Sequence, residues 1–260
     1  MQNITIIIHS HDFNKIIDCV KSAQLLSNNI LIIGNETRQD IKNTLLKLNV
    51  KIINFENSGI VETAREFGIK QATTDWVFLL DADERITKQL AKEVQSVIIS
   101  SNQLKSDRYT YYKIPRKEII LGKKWLKFGG WWPNYQTRLI NKKYFINWPT
   151  HIHSIPIIKG QMGKLVNPLL HYSQNDFTEI VNRTAIFEDK ESNLLFKANK
   201  TVNTPTFFRK FFGELWRRLF AKFGLLDGTL GIIESIYQAF SKTITYIFLY
   251  EKRNKKSRSL

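Results

Sequence analysis

One segment organises this chain: Thr73-Thr74-Asp75-Trp76-Val77-Phe78-Leu79-Leu80-Asp81-Ala82-Asp83-Glu84-Arg85, in which an unbroken apolar run leads directly into two carboxylates. An apolar run of this length between polar residues is typical of a strand buried on both faces, as in the centre of a parallel sheet. Side chains two positions apart in an extended chain point the same way. Asp81 and Asp83 are therefore predicted to project together from the carboxyl end of the strand, where open α/β sheets bind ligands.

The two carboxylates indicate metal-assisted handling of a diphosphate. Neighbouring carboxylates in a cleft are costly to keep ionised unless a cation is shared between them. Mg²⁺ prefers oxygen ligands and often takes one or two protein carboxylates together with substrate phosphates. The alternative is a solvated acidic turn that ends a strand, because the Asp-x-Asp spacing alone is a weak signal.

Composition limits the class of protein. The 260 residues, 43% of them hydrophobic, suffice for one large domain or for one domain with an appendage. The single cysteine, Cys19, excludes an intrachain disulfide and is typical of a reducing compartment. The N-terminal residues lack a basic region and a cleavage site, so no signal peptide is predicted, and no stretch has the length and apolarity of a membrane-spanning helix.

The formal net charge of +16 predicts an anionic partner, which could be nucleic acid, a lipid surface or a phosphorylated substrate. Many basic residues near the C terminus lie among aromatic residues. That mixture suits a membrane surface better than a groove that reads bases, so we expect no nucleic-acid partner. A nucleic-acid-binding protein is the alternative that charge alone would support.

Strand and helix patterns alternate along the N-terminal part, beginning with the β-branched strand Ile4–Ile8. Short links between them are typical of right-handed β-α-β units on a parallel sheet. His9 follows this strand and is predicted to line a nucleotide pocket or simply to end the strand, in preference to a metal site. Further along, the basic and aromatic segment Lys123–Trp132 is predicted to form either a mobile flap over a pocket or a surface loop packed on the core.

The C-terminal part predicts amphipathic helices. Large apolar residues recur at helical spacing from Thr206 to Phe223, with arginine and lysine residues between them. This pattern favours a helix lying in a bilayer interface, with packing on its own domain as the alternative. A second helix is predicted over about Leu230–Tyr250, and the basic residues 251–260 are predicted to be disordered.

The acidic segment and several later motifs resemble family 2 glycosyltransferases, in particular the branch that contains lipopolysaccharide-core β-1,4-glucosyltransferases. The resemblance covers most of the chain in the order of the family, and its most specific part is the acidic motif with the preceding strand. The other matches are Ala64-Arg65, Trp132-Pro133, Gln136-Thr137-Arg138-Leu139, His153, Leu170-His171-Tyr172-Ser173, and Leu226-Asp227-Gly228 followed by Gly231.

This resemblance implies a GT-A fold, which is an α/β, Rossmann-like mixed sheet of nucleotide-diphospho-sugar transferases. It also implies inverting transfer from a nucleotide-sugar donor, here a UDP-sugar, with Mg²⁺ or Mn²⁺ on the Asp-x-Asp (DXD) motif. Asp83 would bind the metal, and Asp81 would lie near the metal or the donor ribose. His9, Arg65 and Arg138 are predicted to bind the donor, the two arginines near the diphosphate because of their charge.

Three residues are candidates for the catalytic base: Glu84, Glu118 and His153. The sequence does not choose among them, and the predicted catalytic set takes Glu84 and His153. Two departures from the family pattern bear on activity. Relatives carry an Asp that holds the nucleotide base where this chain reads Gly34-Asn35-Glu36-Thr37-Arg38-Gln39, so that carboxylate is either missing here or moved to Glu36. Relatives also carry a Glu where this chain has Ser154. These departures favour the alternative of an inactive GT-A-like protein that only binds a glycan or lipid.

The sequence thus predicts a metal-dependent inverting glycosyltransferase of lipopolysaccharide or oligosaccharide biosynthesis, whose acceptor is a lipid-linked or cell-surface glycan. The predicted parts are a GT-A domain over 1–204, membrane-associating helices over 205–250 and a tail over 251–260. We expect the protein to be cytoplasmic, peripheral on the inner face of the cytoplasmic membrane and bound to its anionic surface.

Overall fold

A computed structural model describes residues 3–10, 15–34, 39–55, 61–103, 108–122, 124–150, 154–174 and 177–258. The chain forms two compact units. The first comprises Met1–Lys117 and Asn134–His171, and the second comprises Glu118–Pro133 and Tyr172–Leu260. This division differs from the predicted boundary at residue 204, because the segments before that boundary contribute to both units.

The described residues form strands and α-helices in an order that begins with alternation and ends with helices. The strands are β1 Ile4–Ser10, β2 Ile30–Gly34, β3 Lys51–Asn54, β4 Trp76–Asp81, β5 Glu84–Arg85, β6 Tyr111–Ile120, β7 Lys124–Leu126, β8 Asn134–Asn141, β9 Phe145–Asn147, β10 Ile157–Ile158, β11 Met162–Lys164 and β12 Leu169–Gln174. The helices are α1 Ile16–Ala23, α2 Gln39–Lys47, α3 Val61–Gln71, α4 Lys88–Gln103, α5 Phe177–Lys197, α6 Thr204–Trp216 and α7 Gly228–Arg258.

The main sheet is mixed. Its strand order is β3-β2-β1-β4-β8-β6-β12-β5, with β7 and β11 also paired to β6. The first four strands of that order run parallel to one another, whereas β8 is antiparallel to both β4 and β6. The alternating N-terminal pattern therefore produces the parallel half of the sheet, as predicted, and the aromatic strands after residue 108 add the antiparallel half.

The apolar run of the acidic segment is the buried strand that the sequence predicted. Trp76 to Leu80 are at most 2% exposed, and they alternate between two hydrophobic clusters on opposite faces of the sheet. Helices α1, α2 and α4 contribute to the cluster on one face, and α3 contributes to the other. Each fully buried large side chain stabilises the fold by about 1.5–3 kcal/mol, so this strand is fixed strongly in place.

After residue 108 the first strand, β6, is long and passes through Pro115. Near the C terminus, α6 changes to a π-helical turn over Arg217–Ala221, so the predicted helix over Thr206–Phe223 is shorter and less regular than expected.

Helix α7 continues to Arg258, through most of the segment that the sequence predicted to be disordered. Basic residues of its last turns are held by α5. Lys252 Nζ lies 2.6 Å from Asp189 Oδ1, and the guanidinium carbon of Arg253 lies 4.6 Å from the ring centre of Phe196. Within the described ranges, no helix combines the length and apolarity needed to cross a membrane.

Candidate active site

The carboxyl ends of the parallel strands meet at one edge of the sheet. The register of β1 and β4 places His9 beside Asp81, and the register of β1 and β2 places Ser10 beside Gly34. His9 is buried, with 8% of its surface exposed. Topology alone therefore brings His9 and the acidic segment together at the edge where α/β sheets bind ligands.

The turn between β4 and β5 carries both carboxylates and is fastened by Arg85. Its guanidinium donates 2.8 Å hydrogen bonds to the carbonyl oxygens of Ala82 and Glu84, and a 2.9 Å bond to that of Lys15. A guanidinium presents several donors in a fixed plane, so one side chain can hold three carbonyls in one arrangement. Arg85 thus positions the Asp81–Glu84 turn against the residue that precedes α1, a role that the sequence analysis did not assign.

Asp81 is held by the two arginines that were predicted to bind the donor. Arg65 Nη2 lies 2.7 Å from Asp81 Oδ1, and Arg138 Nη2 lies 2.5 Å from Asp81 Oδ2. The guanidinium of Arg65 also lies 5.5 Å from the ring centre of the buried Trp148, a cation–π distance. In this arrangement Asp81 orients the arginines and is itself neutralised by them, which leaves Asp83 as the carboxylate better placed to meet a metal.

Glu84 lies beneath this group and is completely buried. Its Oε1 accepts a 2.7 Å hydrogen bond from Arg138 Nη2 and lies 3.4 Å from Arg116 Nη1, and its Oε2 accepts the backbone N–H of Asp81 at 3.1 Å. A carboxylate with these contacts and no exposed surface cannot reach an acceptor hydroxyl. These contacts suit a positioning role for Glu84, and its predicted role as catalytic base stays a prediction.

The electrostatics of the cluster follow from this pairing. Burial alone would raise the pKa of Asp81, but the positive charges of Arg138 and Arg65 overcome that effect and hold the pKa well below its usual range. Burial likewise acts to lower the pKa of Arg138, and the charges of Asp81 and Glu84 reverse the effect and raise it. Three guanidiniums, those of Arg65, Arg116 and Arg138, contact the carboxylates of Asp81 and Glu84.

The depressed pKa of Asp81 predicts a pH-dependent contribution to stability. Because the native pKa lies below the unfolded value of about 3.9, the ionised carboxylate stabilises the native state fully above that value and loses this effect as the pH falls through the native pKa. The difference in unfolding free energy between the wild type and Asp81→Asn should be constant from about pH 8 to 5 and should shrink below about pH 4. Urea unfolding at a series of pH values measures it, and a constant difference into strong acid would contradict the pairing.

Asp83 faces a different partner. Its Oδ2 lies 3.4 Å from Nε2 of His171, and its side chain keeps 26% of its surface exposed. Strand β12 brings His171 to this place, because Leu170 and His171 pair with Arg85 and Glu84 of β5. Burial acts to raise the pKa of Asp83, but the hydrogen bond and charge of His171 outweigh burial, so the net pKa lies below the usual value. His171 belongs to the Leu170-His171-Tyr172-Ser173 motif, and no signal in the sequence placed it in the site.

Asp83 and His171 offer a carboxylate oxygen and an imidazole nitrogen close enough to share one cation. No cluster of three or more His, Cys, Asp or Glu side chains able to hold a metal occurs among the residues that the structure describes. A divalent ion held by this pair would therefore take its remaining ligands from substrate and water, which is a common arrangement for ions that bind diphosphates.

The remaining predicted residues either belong to the second unit or lie outside the described residues. Glu118 is 2% exposed and belongs to the second unit. His153 and Glu36 lie outside the described residues, so the predictions for them stay predictions. Ser154 stands where the family pattern has a Glu. Its hydroxyl donates a 2.6 Å hydrogen bond to the carbonyl of Pro149, and its backbone carbonyl accepts one from Trp148 Nε1. These contacts fix the local backbone conformation.

In the second unit, the segment predicted as a flap or loop is tethered. The backbone N–H groups of Lys127 and Phe128 donate to the buried carboxylate of Asp227 at 3.0 and 2.8 Å. A side chain at Gly231 would lie 2.1 Å from the carbonyl oxygen of Gly224, so only glycine allows this close approach. These contacts give the Leu226-Asp227-Gly228 and Gly231 motif a structural role. They also favour the predicted surface loop over the predicted mobile flap.

The sequence model that describes the family "Glycosyl transferase family 2" matches residues 5–160 of this chain. That range contains the parallel strands and the acidic turn. The chain therefore belongs to glycosyl transferase family 2. It is a glycosyltransferase of the GT-A fold class, which confirms the family and the fold expected from the sequence.

Particular relatives span most of the chain at low identity. The uncharacterized glycosyltransferase RC0292 of Rickettsia conorii is 25% identical, over 94% of this chain and 88% of its own length. The lipopolysaccharide core biosynthesis glycosyltransferase LpsC of Rhizobium meliloti is 24% identical, over 75% of this chain and 70% of its own. Among solved structures, S. aureus TarS 1-349 in complex with UDP-GlcNAc covers 97% of this chain and 92% of its own, with 14% identity and a TM-score of 0.48.

Proposed function

We propose that this glycosyltransferase transfers a sugar with inversion from a UDP-sugar, that it depends on a divalent metal, and that its acceptor is a lipid-linked or cell-surface glycan of the lipopolysaccharide type. The observation that carries the proposal is the pair formed by Asp83 and His171 at the carboxyl end of the central strand. Such a pair beside a positively charged group suits a metal–diphosphate complex.

Asp83 and His171 are the residues that would hold the metal. A mixed oxygen and nitrogen pair favours Mn²⁺ over Mg²⁺, because imidazole suits transition ions better than it suits the harder Mg²⁺. When bound, such an ion stabilises the negative charge that develops on a departing nucleoside diphosphate. The lowered pKa of Asp83 keeps its carboxylate ionised at neutral pH and ready to bind a cation.

The arginine group supports an anionic donor. The side chain of Arg65 keeps 18% of its surface exposed, so its guanidinium can face an incoming diphosphate while it holds Asp81. Arg138 is nearly buried and holds Asp81 and Glu84 from beneath. The guanidiniums of the group further favour a diphosphate near this end of the sheet.

The acceptor rests on resemblance and on the name of one relative. The motifs of this chain resemble the branch of lipopolysaccharide-core glucosyltransferases, and LpsC is named for lipopolysaccharide core biosynthesis. The catalytic base is proposed to be His153, since the burial of Glu84 and Glu118 removes them from contact with an acceptor hydroxyl. His153→Ala should then abolish transfer and leave UDP binding within about twofold, since a base acts only in the transition state.

Titration of UDP tests the donor and the metal together. Calorimetry should show binding to the wild type with Mn²⁺ that weakens at least about tenfold, or 1.4 kcal/mol, when Mn²⁺ is omitted. His171→Ala should lose most of this metal dependence. His9→Ala should weaken UDP binding in the presence and absence of Mn²⁺ alike, since His9 would contact the nucleotide and not the metal. Equal UDP affinity with and without Mn²⁺ in the wild type would overturn the metal assignment.

A further inference from the structure

Helix α6 carries an exposed apolar stripe. Phe208, Phe212 and Trp216 of α6, and Phe220 of the π-helical turn that follows it, recur every fourth residue and are 46–63% exposed. Residues four apart lie on one face of an α-helix, and the ring of Phe220 continues the row because its centre lies 4.6 Å from that of Trp216. These four side chains are here called the α6 stripe. The intervening apolar residues turn inward and are half-buried. The helix thus has a second apolar face, beyond the one that packs on its own unit.

Helix α7 carries a comparable row. Ile232, Ile236, Phe240 and Ile247 are exposed, while Glu234, Thr245 and Leu249 on its other side are buried; the exposed row is here called the α7 stripe. The two helices pack antiparallel within the second unit. Phe207 contacts Tyr250, Lys210 lies over the ring of Tyr246, and Arg218 reaches Gln238. One helical hairpin therefore presents both stripes.

The charge of the hairpin is strongly one-sided. Residues 204–258 contain eleven lysines and arginines against four acidic residues. Each acidic residue is buried or paired: Asp227 and Glu234 are buried, Glu214 pairs with Arg217 and Arg218, and Glu251 pairs with Lys255. The basic residues Arg209, Lys222 and Lys242, in contrast, are exposed close to the stripes in sequence.

We propose that the α6 and α7 stripes, with these basic neighbours, bind the surface of an anionic lipid bilayer. Exposed aromatic and aliphatic side chains gain by leaving water for the boundary between headgroups and acyl chains. Exposed lysines and arginines are attracted to anionic headgroups in the same plane. A partner must therefore offer hydrocarbon and negative charge side by side, as an anionic leaflet does. This inference deepens the proposed function by stating where the enzyme meets a lipid-linked acceptor.

Flotation with lipid vesicles tests the surface. The full chain should bind vesicles of phosphatidylcholine with phosphatidylglycerol at low salt, and it should bind pure phosphatidylcholine much less. High salt should weaken binding without abolishing it, because the apolar contribution is not screened. The triple variant Phe212→Gln/Trp216→Gln/Phe220→Gln should bind the anionic vesicles at least about tenfold more weakly, since it removes three of the four side chains of the α6 stripe.

The matched control is Leu46→Gln/Ile99→Gln/Val166→Gln, which removes three exposed apolar residues of the first unit. It should bind vesicles like the wild type. Failure of the wild type to bind anionic vesicles at low salt, or equal binding by both triple variants, would overturn the proposal. So would a dimer in analytical ultracentrifugation that the α6-stripe variant abolishes, because a second copy would then cover the stripes.

The same variants separate this inference from the proposed function. UDP binding with Mn²⁺, measured without vesicles, should be unchanged in the α6-stripe variant. Vesicle binding without UDP binding in the wild type would leave the surface standing and overturn the donor assignment. UDP binding without vesicle binding would leave the donor assignment standing and overturn the proposed lipid-binding surface.

Discussion

Asp83→Ala should lower sugar transfer by about 10²–10³-fold or more, because it removes the carboxylate proposed to hold the metal against the departing diphosphate. The fold should survive the change. Asp83 is partly exposed, and the contact shown for it is with His171 at 3.4 Å, so its loss removes little packing. Turnover in a donor hydrolysis or transfer assay with Mn²⁺ measures the effect, and circular dichroism checks the fold.

Asp18→Ala is the matched control for that experiment. Asp18 is an exposed carboxylate in the first turn of α1, outside the arginine group and the acidic turn. Its removal should leave turnover within about twofold of the wild type, as expected for a surface substitution away from the site. Equal turnover of Asp83→Ala and Asp18→Ala would contradict the metal assignment.

Glu84→Ala should lower the free energy of unfolding by about 3–5 kcal/mol, because it leaves the guanidinium of Arg138 buried with one of its two carboxylate partners removed. The backbone N–H of Asp81 also loses its acceptor. Glu84→Gln keeps the shape and one acceptor oxygen, so its cost should be smaller than that of the alanine variant. Denaturant unfolding, followed by fluorescence and circular dichroism, gives both values.

The comparison for Glu84 is Glu251→Ala, which removes an exposed i,i+4 pair with Lys255. Surface pairs of this kind contribute only about 0.3–0.5 kcal/mol, so the change should be close to neutral. If Glu84→Ala were equally mild and abolished only transfer, Glu84 would be a catalytic group and the positioning role assigned to it would be rejected.

The parallel half of the sheet was predictable because its signals are local. The run from Trp76 to Leu80 has no polar residue, and both faces of such a strand must be covered by helices. The family assignment depended on the same segment, since the acidic turn directly after a buried strand is its most specific feature.

The side-chain contacts within the site were not predictable, because they join residues that are distant in sequence. Arg138 reaches Asp81 and Glu84 only after β8 has paired antiparallel with β4. His171 reaches Asp83 through the pairing of β12 with β5. Charge suggested that Arg65 and Arg138 face phosphate, but it could not reveal that Asp81 lies between them. The helical C terminus was missed for a similar reason, since its basic residues are held by α5.

The most direct test of the account is electron–nuclear double resonance on the Mn²⁺–UDP complex of the full chain. The account predicts a ¹⁴N coupling from one histidine together with ³¹P couplings from the diphosphate. The ¹⁴N coupling should disappear in His171→Ala, and the bound Mn²⁺ signal should be lost or greatly weakened in Asp83→Ala. A Mn²⁺ spectrum with neither a histidine nor a phosphate coupling in the wild type would contradict the claim that Asp83 and His171 hold a metal–diphosphate complex.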